Sequence, residues 1–71
     1  MQYTIEAREL THGHESLRTV IEANDENEAI NRYVRDRAAE LVSFTTPPRG
    51  AESIATVKKE DTVFLVRVYT A

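Results

Sequence analysis

The residue types that bind metals come together at one place in this sequence. His12, His14 and Glu15 are weak candidates for a zinc, copper or nickel site, because two imidazoles and a carboxylate lie within four residues. A closed structural site needs four ligands fixed by the fold, and the chain has only these two histidines and no cysteine. Gly13 between the histidines indicates a turn. We therefore expect no metal site and no cofactor, only a solvated hairpin tip.

Nucleophilic catalysis has no motif to support it. No serine stands in a Gly-x-Ser-x-Gly elbow, and the two glycines, Gly13 and Gly50, are too far apart to form a phosphate-binding loop. His14, Glu15 and Ser16 supply the residue types of a triad. Triads are defined by geometry, however, and three neighbours on one turn rarely converge on one atom. We expect a protein that is not an enzyme.

Size and charge narrow the class of protein. A chain of 71 residues is enough for a single domain over 1–71. Nine Lys+Arg against twelve Asp+Glu give a net charge of −3 and a pI near 5.3, which disfavours nucleic acid as a partner. The apolar runs are far shorter than the roughly 20 residues of a membrane span, and the first residues do not read as a secretory signal. We therefore expect a cytoplasmic protein without membrane contact.

Two β-strands and their hairpin are predicted at the start of the chain. Apolar side chains alternate with polar ones over the first ten residues and again over 17–23, which is the pattern of half-buried strands. The polar segment between them, with Gly13 inside it, predicts the turn of a hairpin.

An amphipathic helix is predicted next. Asp25 and Glu28 have the spacing of a capping box, in which each satisfies a backbone N–H group at the helix start. Spacings of one, three and four join the apolar residues behind them into one stripe: Ala29, Ile30, Tyr33, Val34, Ala38, Leu41 and Val42. The helix is therefore expected to reach Val42 and to end before Pro47, with Phe44 stapling its end to the sheet.

Two further strands are predicted at 53–58 and 63–69, and together the elements give the fold class. The expected fold is α+β in the order β-β-α-β-β, one four-stranded, mostly antiparallel sheet with the helix packed on one face. If the first and last strands lie side by side, the strand order is 2-1-4-3, as in a β-grasp domain; other hairpin pairings give a different α+β sandwich. The expected core comprises Ile5, Ile21, Ile30, Tyr33, Val34, Leu41, Phe44, Phe64, Val66 and Val68.

The favoured function is that of an interaction module. A single helix covers one sheet face only, and the last strand would present Val63, Leu65, Arg67 and Tyr69 on the other face. Val63, Leu65 and Tyr69 form an apolar line there that a stable monomer rarely leaves exposed. The competing interpretation is an ordinary solvated face of a monomer, on which cross-strand pairs such as Glu6–Arg67 satisfy the charges. We expect self-association, or binding of a protein partner, through this face or an edge strand.

The alternative function is nucleic-acid binding. It requires five basic residues to converge on one surface: Arg32, Arg35, Arg49, Lys58 and Lys59. Tyr69 or Tyr3 would then stack against bases on an open sheet face. Acidic residues interleaved with the helix arginines oppose this reading, as does the net charge of −3.

Overall fold

The chain folds into five β-strands and one α-helix, in a computed structural model that describes residues 1–10, 16–45 and 52–70. The elements are β1 (Gln2–Glu9), β2 (Ser16–Glu22), α1 (Glu26–Asp36), β3 (Glu40–Thr45), β4 (Ser53–Lys59) and β5 (Thr62–Thr70). The α+β class is confirmed. The prediction of four strands is wrong, because β3 adds a fifth strand to the sheet.

The sheet is antiparallel throughout, in the order β2-β1-β5-β4-β3. Two hairpins, β1–β2 and β4–β5, lie side by side because the first strand pairs with the last. The four predicted strands therefore follow the 2-1-4-3 order, and β3 adds a fifth strand beside β4. Helix α1 connects β2 and β3, which are the two opposite edges, and so crosses one whole face of the sheet.

The start of α1 is fixed by the predicted cap. Asp25 is the N-cap residue, and its side-chain Oδ1 accepts a hydrogen bond from the Glu28 backbone N–H at 2.8 Å. The Glu28 carboxylate reaches back one residue further than in a standard capping box and accepts from the Asn24 backbone N–H at 3.2 Å. Two N–H groups at the helix start are satisfied in this way.

The end of α1 corrects the predicted helix length. The helix stops at Asp36, and Ala38 adopts a φ of 52°, in the left-handed region. The Ala39 N–H bonds to the Val34 carbonyl at 2.8 Å and the Ala38 N–H to the Arg35 carbonyl at 3.1 Å, the two hydrogen bonds of a Schellman motif. Within the described residues, no helix is long and apolar enough to cross a membrane.

The segment after this cap is strand β3, so Leu41, Val42 and Phe44 do not extend the helix. Leu41 pairs with Val57 and Phe44 pairs with Ala55, with a bulge between Leu41 and Ser43. Phe44 therefore contacts the core from within the sheet and does not staple the helix end. Val42, in the bulged part of the strand, is exposed.

The core lies between α1 and the covered face of the sheet. Seven of the ten predicted core residues are buried, and Leu41, Phe44 and Phe64 are partly buried against them. Ile5, Ile30, Val66 and Val68 are completely inaccessible to solvent. The buried apolar residues, among those described, that the predicted core did not include are Tyr3, Ala7, Ala23, Ala29, Ala55 and Val57.

Candidate functional site

Within residues 1–10, 16–45 and 52–70, the face of the sheet opposite α1 carries no helix, and we call it the helix-free face. The strand register assigns to it alternate residues of each strand, among them Thr4, Glu6 and Arg8 of β1. Their cross-strand neighbours on β2 and β5 include Arg18 and Arg67, which both pair with Glu6. This surface therefore contains the Glu6–Arg67 pair that the sequence suggested.

The four predicted interface residues lie in line on this face, at alternate positions of β5. Leu65 and Arg67 are exposed, while Val63 and Tyr69 are half-buried. Two exposed apolar side chains join them: Val20 on β2, 57% exposed, and Ile54 on β4, 42% exposed. The spacing of Val20 from Arg18 and Glu22 already predicted its place on this face, whereas Ile54 was missed because its placement requires the strand order to be known.

A chain of ion pairs crosses the centre of the helix-free face. Arg18 Nε lies 3.4 Å from Glu6 Oε2, and Arg67 Nη1 lies 3.1 Å from Glu6 Oε1. Arg67 also donates from Nη2 and Nε to Glu52 Oε2, at 2.7 Å and 3.1 Å. The four charges therefore alternate in sign from β2 through β1 and β5 to the residue before β4. The arginines cover Glu6 so well that it is 9% exposed although it lies on an uncovered face.

Arg67 makes the most contacts among the residues of this chain of ion pairs. The hydrogen bond and the charge of Glu52 raise the pKa of Arg67, and Glu6 adds to the effect. The Arg67 guanidinium also lies 5.8 Å from the centre of the Tyr69 ring, within range of a cation–π contact. Arg67 is thus held in a fixed position by two carboxylates and one ring.

The basic residues of the nucleic-acid alternative are spread over different surfaces. Arg32 and Arg35 are exposed on α1, where Arg32 lies 4.0 Å from Glu28 and donates to the Glu22 carbonyl at 2.8 Å. Lys58 pairs with Val63 on the helix-free face, whereas Lys59 lies on the side of the sheet that α1 covers. The further candidate Arg49 lies outside the described residues. Tyr3, one of two suggested stacking residues, is buried beneath α1 and is 4% exposed.

The suggested metal ligands cannot be placed, since His12, His14 and Glu15 lie outside the described residues. Over residues 1–10, 16–45 and 52–70, no three or more His, Asp or Glu side chains are grouped closely enough to hold a metal ion.

A second feature is a cleft of about 180 Å³ between the end of α1 and the covered face of the sheet. Tyr33 and Arg37 of the helix region line it on one side, and Leu17 and Phe64 line it on the other. The Arg37 guanidinium carbon lies 4.0 Å from the centre of the Tyr33 ring. Burial raises the pKa of the Tyr33 hydroxyl, and the neighbouring Arg37 opposes this in part. Nothing in the sequence pattern pointed to this cleft, because its walls come from four strands, the helix and the residues that follow the helix.

Comparisons of the chain with protein-family models, with curated proteins and with solved structures each gave no match. The assignment of a function therefore rests on the geometry of these two surfaces.

Proposed function

We propose that this protein is a non-enzymatic interaction module that binds a second copy of itself through the helix-free face. The observation that carries the proposal is the order of charges across that face, Arg18–Glu6–Arg67–Glu52, which alternates in sign. A surface with this order is complementary to its own reversed copy.

The geometry of a symmetric dimer explains why the alternation matters. Consider two copies packed face to face about a two-fold axis that runs parallel to the strands. The rotation reverses the left-to-right order of the strands in the second copy relative to the first. An order of plus, minus, plus, minus then faces minus, plus, minus, plus, so every charge lies opposite one of the other sign. In that arrangement Glu6 of one copy lies across from Arg67 of the second copy.

Apolar side chains on the same face supply the favourable free energy that surface ion pairs lack. Val20, Ile54 and Leu65 are 57%, 42% and 37% exposed, and they lie on three different strands around the ion pairs. Exposed ion pairs typically contribute only about 0–1 kcal/mol, whereas buried aliphatic and aromatic side chains dominate interface energies. We therefore assign affinity to the apolar residues and register to the charges.

Matched leucine substitutions test the proposal. Leu65→Asp places a carboxylate on the helix-free face, and Leu17→Asp makes the same change at a more exposed leucine, 70% exposed, on the opposite side of the sheet. Sedimentation velocity over a range of concentrations should show a dimer for the wild type and for Leu17→Asp, and a monomer for Leu65→Asp. A wild type that remains monomeric at every concentration, or equal dissociation of both variants, would contradict the proposal.

The same wild-type protein can be used to test the alternative function, nucleic-acid binding. The four of its basic residues that the structure describes lack a shared surface, because Lys58 lies on one side of the sheet and Lys59 on the other. If it were the function, affinity for an oligonucleotide would fall steeply between about 50 and 200 mM salt. Salt-sensitive binding by a monomeric wild type would favour this alternative over self-association.

A further inference from the structure

The cleft beneath the end of α1 has the size of a small ring compound. Its volume is about 180 Å³, and an apolar cavity of about 150 Å³ is enough to hold benzene. Leu17, Val57 and Phe64 supply apolar walls, and Tyr33 closes the helix side. These groups favour a flat apolar body and offer little to a polar one.

Two cations line the same cleft. Among the residues that the structure describes, Arg37 and Lys59 are the charged groups that line it, and no carboxylate does. Among the described residues, neither Arg37 nor Lys59 forms an ion pair, whereas Arg18, Arg32 and Arg67 each contact a glutamate. Within the described part of the chain, the two positive charges of the cleft therefore have no carboxylate partner.

The position of the Arg37 guanidinium is fixed before any ligand arrives. Its Nη2 donates to Thr19 Oγ1 at 3.1 Å, and its carbon lies 4.0 Å from the centre of the Tyr33 ring. Both partners are neutral, so these contacts orient the guanidinium and leave its charge available. A preorganised cation loses less side-chain entropy when an anion binds than a freely rotating one does.

We propose that this cleft is a binding site for a small aromatic carboxylate. The ring lies among Leu17, Val57 and Phe64, and the carboxylate is held by Arg37 and Lys59 at the edge. The site is independent of the proposed self-association, because it lies on the side of the sheet that α1 covers, and a dimer formed through the helix-free face leaves it open.

Benzoate and its neutral analogue benzamide test this proposal in the whole protein. In amide NMR titrations, benzoate should shift the signals of residues around Tyr33 and Phe64 and saturate with a Kd on the order of 1–10 mM, a value expected for so few atoms. Benzamide keeps the ring and lacks the charge, so it should bind at least about tenfold more weakly. Absence of saturation by benzoate, or equal binding of the two compounds, would overturn the proposal.

Charge-removing variants locate the site. Arg37→Gln and Lys59→Gln should each weaken benzoate binding about tenfold. Arg35→Gln is the matched control, because Arg35 is exposed on α1 and does not line the cleft, and it should bind as the wild type does. Melting curves verify that each variant is folded, and Lys59→Gln keeps the test decisive if the loss of Arg37 disturbs the helix end. Equal affinity of Lys59→Gln and wild type would overturn the proposal.

Discussion

Glu6 and Arg67 face each other across the two central strands, with Oε1 of the carboxylate 3.1 Å from Nη1 of the guanidinium. The Glu6 side chain is only 11% exposed, because Arg18 and Arg67 cover it. Arg67 also bonds to Glu52, while Arg18 makes one longer contact of 3.4 Å with Glu6 and is 69% exposed.

Removal of the two arginines should therefore have unequal effects on stability. Arg67→Met should lower the melting temperature by several degrees, because it leaves the nearly buried Glu6 carboxylate with its weaker partner alone. Arg18→Met removes a largely exposed ion pair and should cost less than about 1 kcal/mol. Thermal denaturation measures the melting temperature of each variant. A larger decrease for Arg18→Met than for Arg67→Met would contradict this ranking of the two ion pairs.

The helix cap offers a stabilising substitution. Ala38 has a φ of 52°, which costs a residue with a β-carbon about 1–2 kcal/mol and costs glycine little. After the greater entropy of glycine in the unfolded chain is subtracted, Ala38→Gly should add about 0.5–1 kcal/mol to the free energy of unfolding. Ala39→Gly is the control and should not stabilise, since Ala39 has no positive φ. Denaturant titration measures the free energy of unfolding of each variant. A lower value for Ala38→Gly than for the wild type would contradict this account of the cap.

Two isoleucines on opposite faces of the sheet test the assignment of the core. Ile5 is completely buried beneath α1, whereas Ile54 on the helix-free face is 42% exposed. Ile5→Ala should cost about 2–4 kcal/mol, a large share of the stability of a small domain. Ile54→Ala should cost less than about 1 kcal/mol when both are measured at low concentration, where dimer formation contributes nothing. Similar losses for the two variants would mean that the faces are assigned wrongly.

Tyr33 should make the protein less stable in alkali. Burial raises its pKa above the usual 10.0, so the fold favours the neutral hydroxyl. A raised pKa in the folded state gives a stability that is complete below the unfolded pKa and is lost as pH rises through the folded one. Melting temperatures should therefore fall above about pH 10, and less steeply in Tyr33→Phe. Tyr69→Phe, on the helix-free face, is the control. An unchanged alkaline decline in Tyr33→Phe would contradict this role.

The sequence predicted the two hairpins well because each is a local feature. Alternation identified β1 and β2, β-branched and aromatic residues identified β5, and Asp25 with Glu28 located the helix start. The helix end was wrong because residues Leu41 and Val42 continue the helical spacing by coincidence. An alanine at position 38 also gives no sign of the left-handed cap that glycine would have signalled.

The candidate surfaces were predictable only in part. Alternation along β5 identified the line from Val63 to Tyr69 on one face. The Glu6–Arg67 pair was suggested by the sequence, but the contacts of Arg18 with Glu6 and of Arg67 with Glu52 depend on the strand registers and could not be predicted. The cleft depends on the helix ending at Asp36, so a helix predicted to reach Val42 hides it.

Contacts between copies are the most direct measure of the central claim. NMR on a mixture of isotope-labelled and unlabelled protein detects only protons of one copy that lie near protons of another. Methyl groups of Val20, Ile54 and Leu65 should give such signals, and those of Val34, buried beneath α1, should give none. Two results would contradict self-association through the helix-free face. One is that only methyl groups on the α1 side of the sheet give signals between copies. The other is that no such signals appear at concentrations where sedimentation shows a dimer.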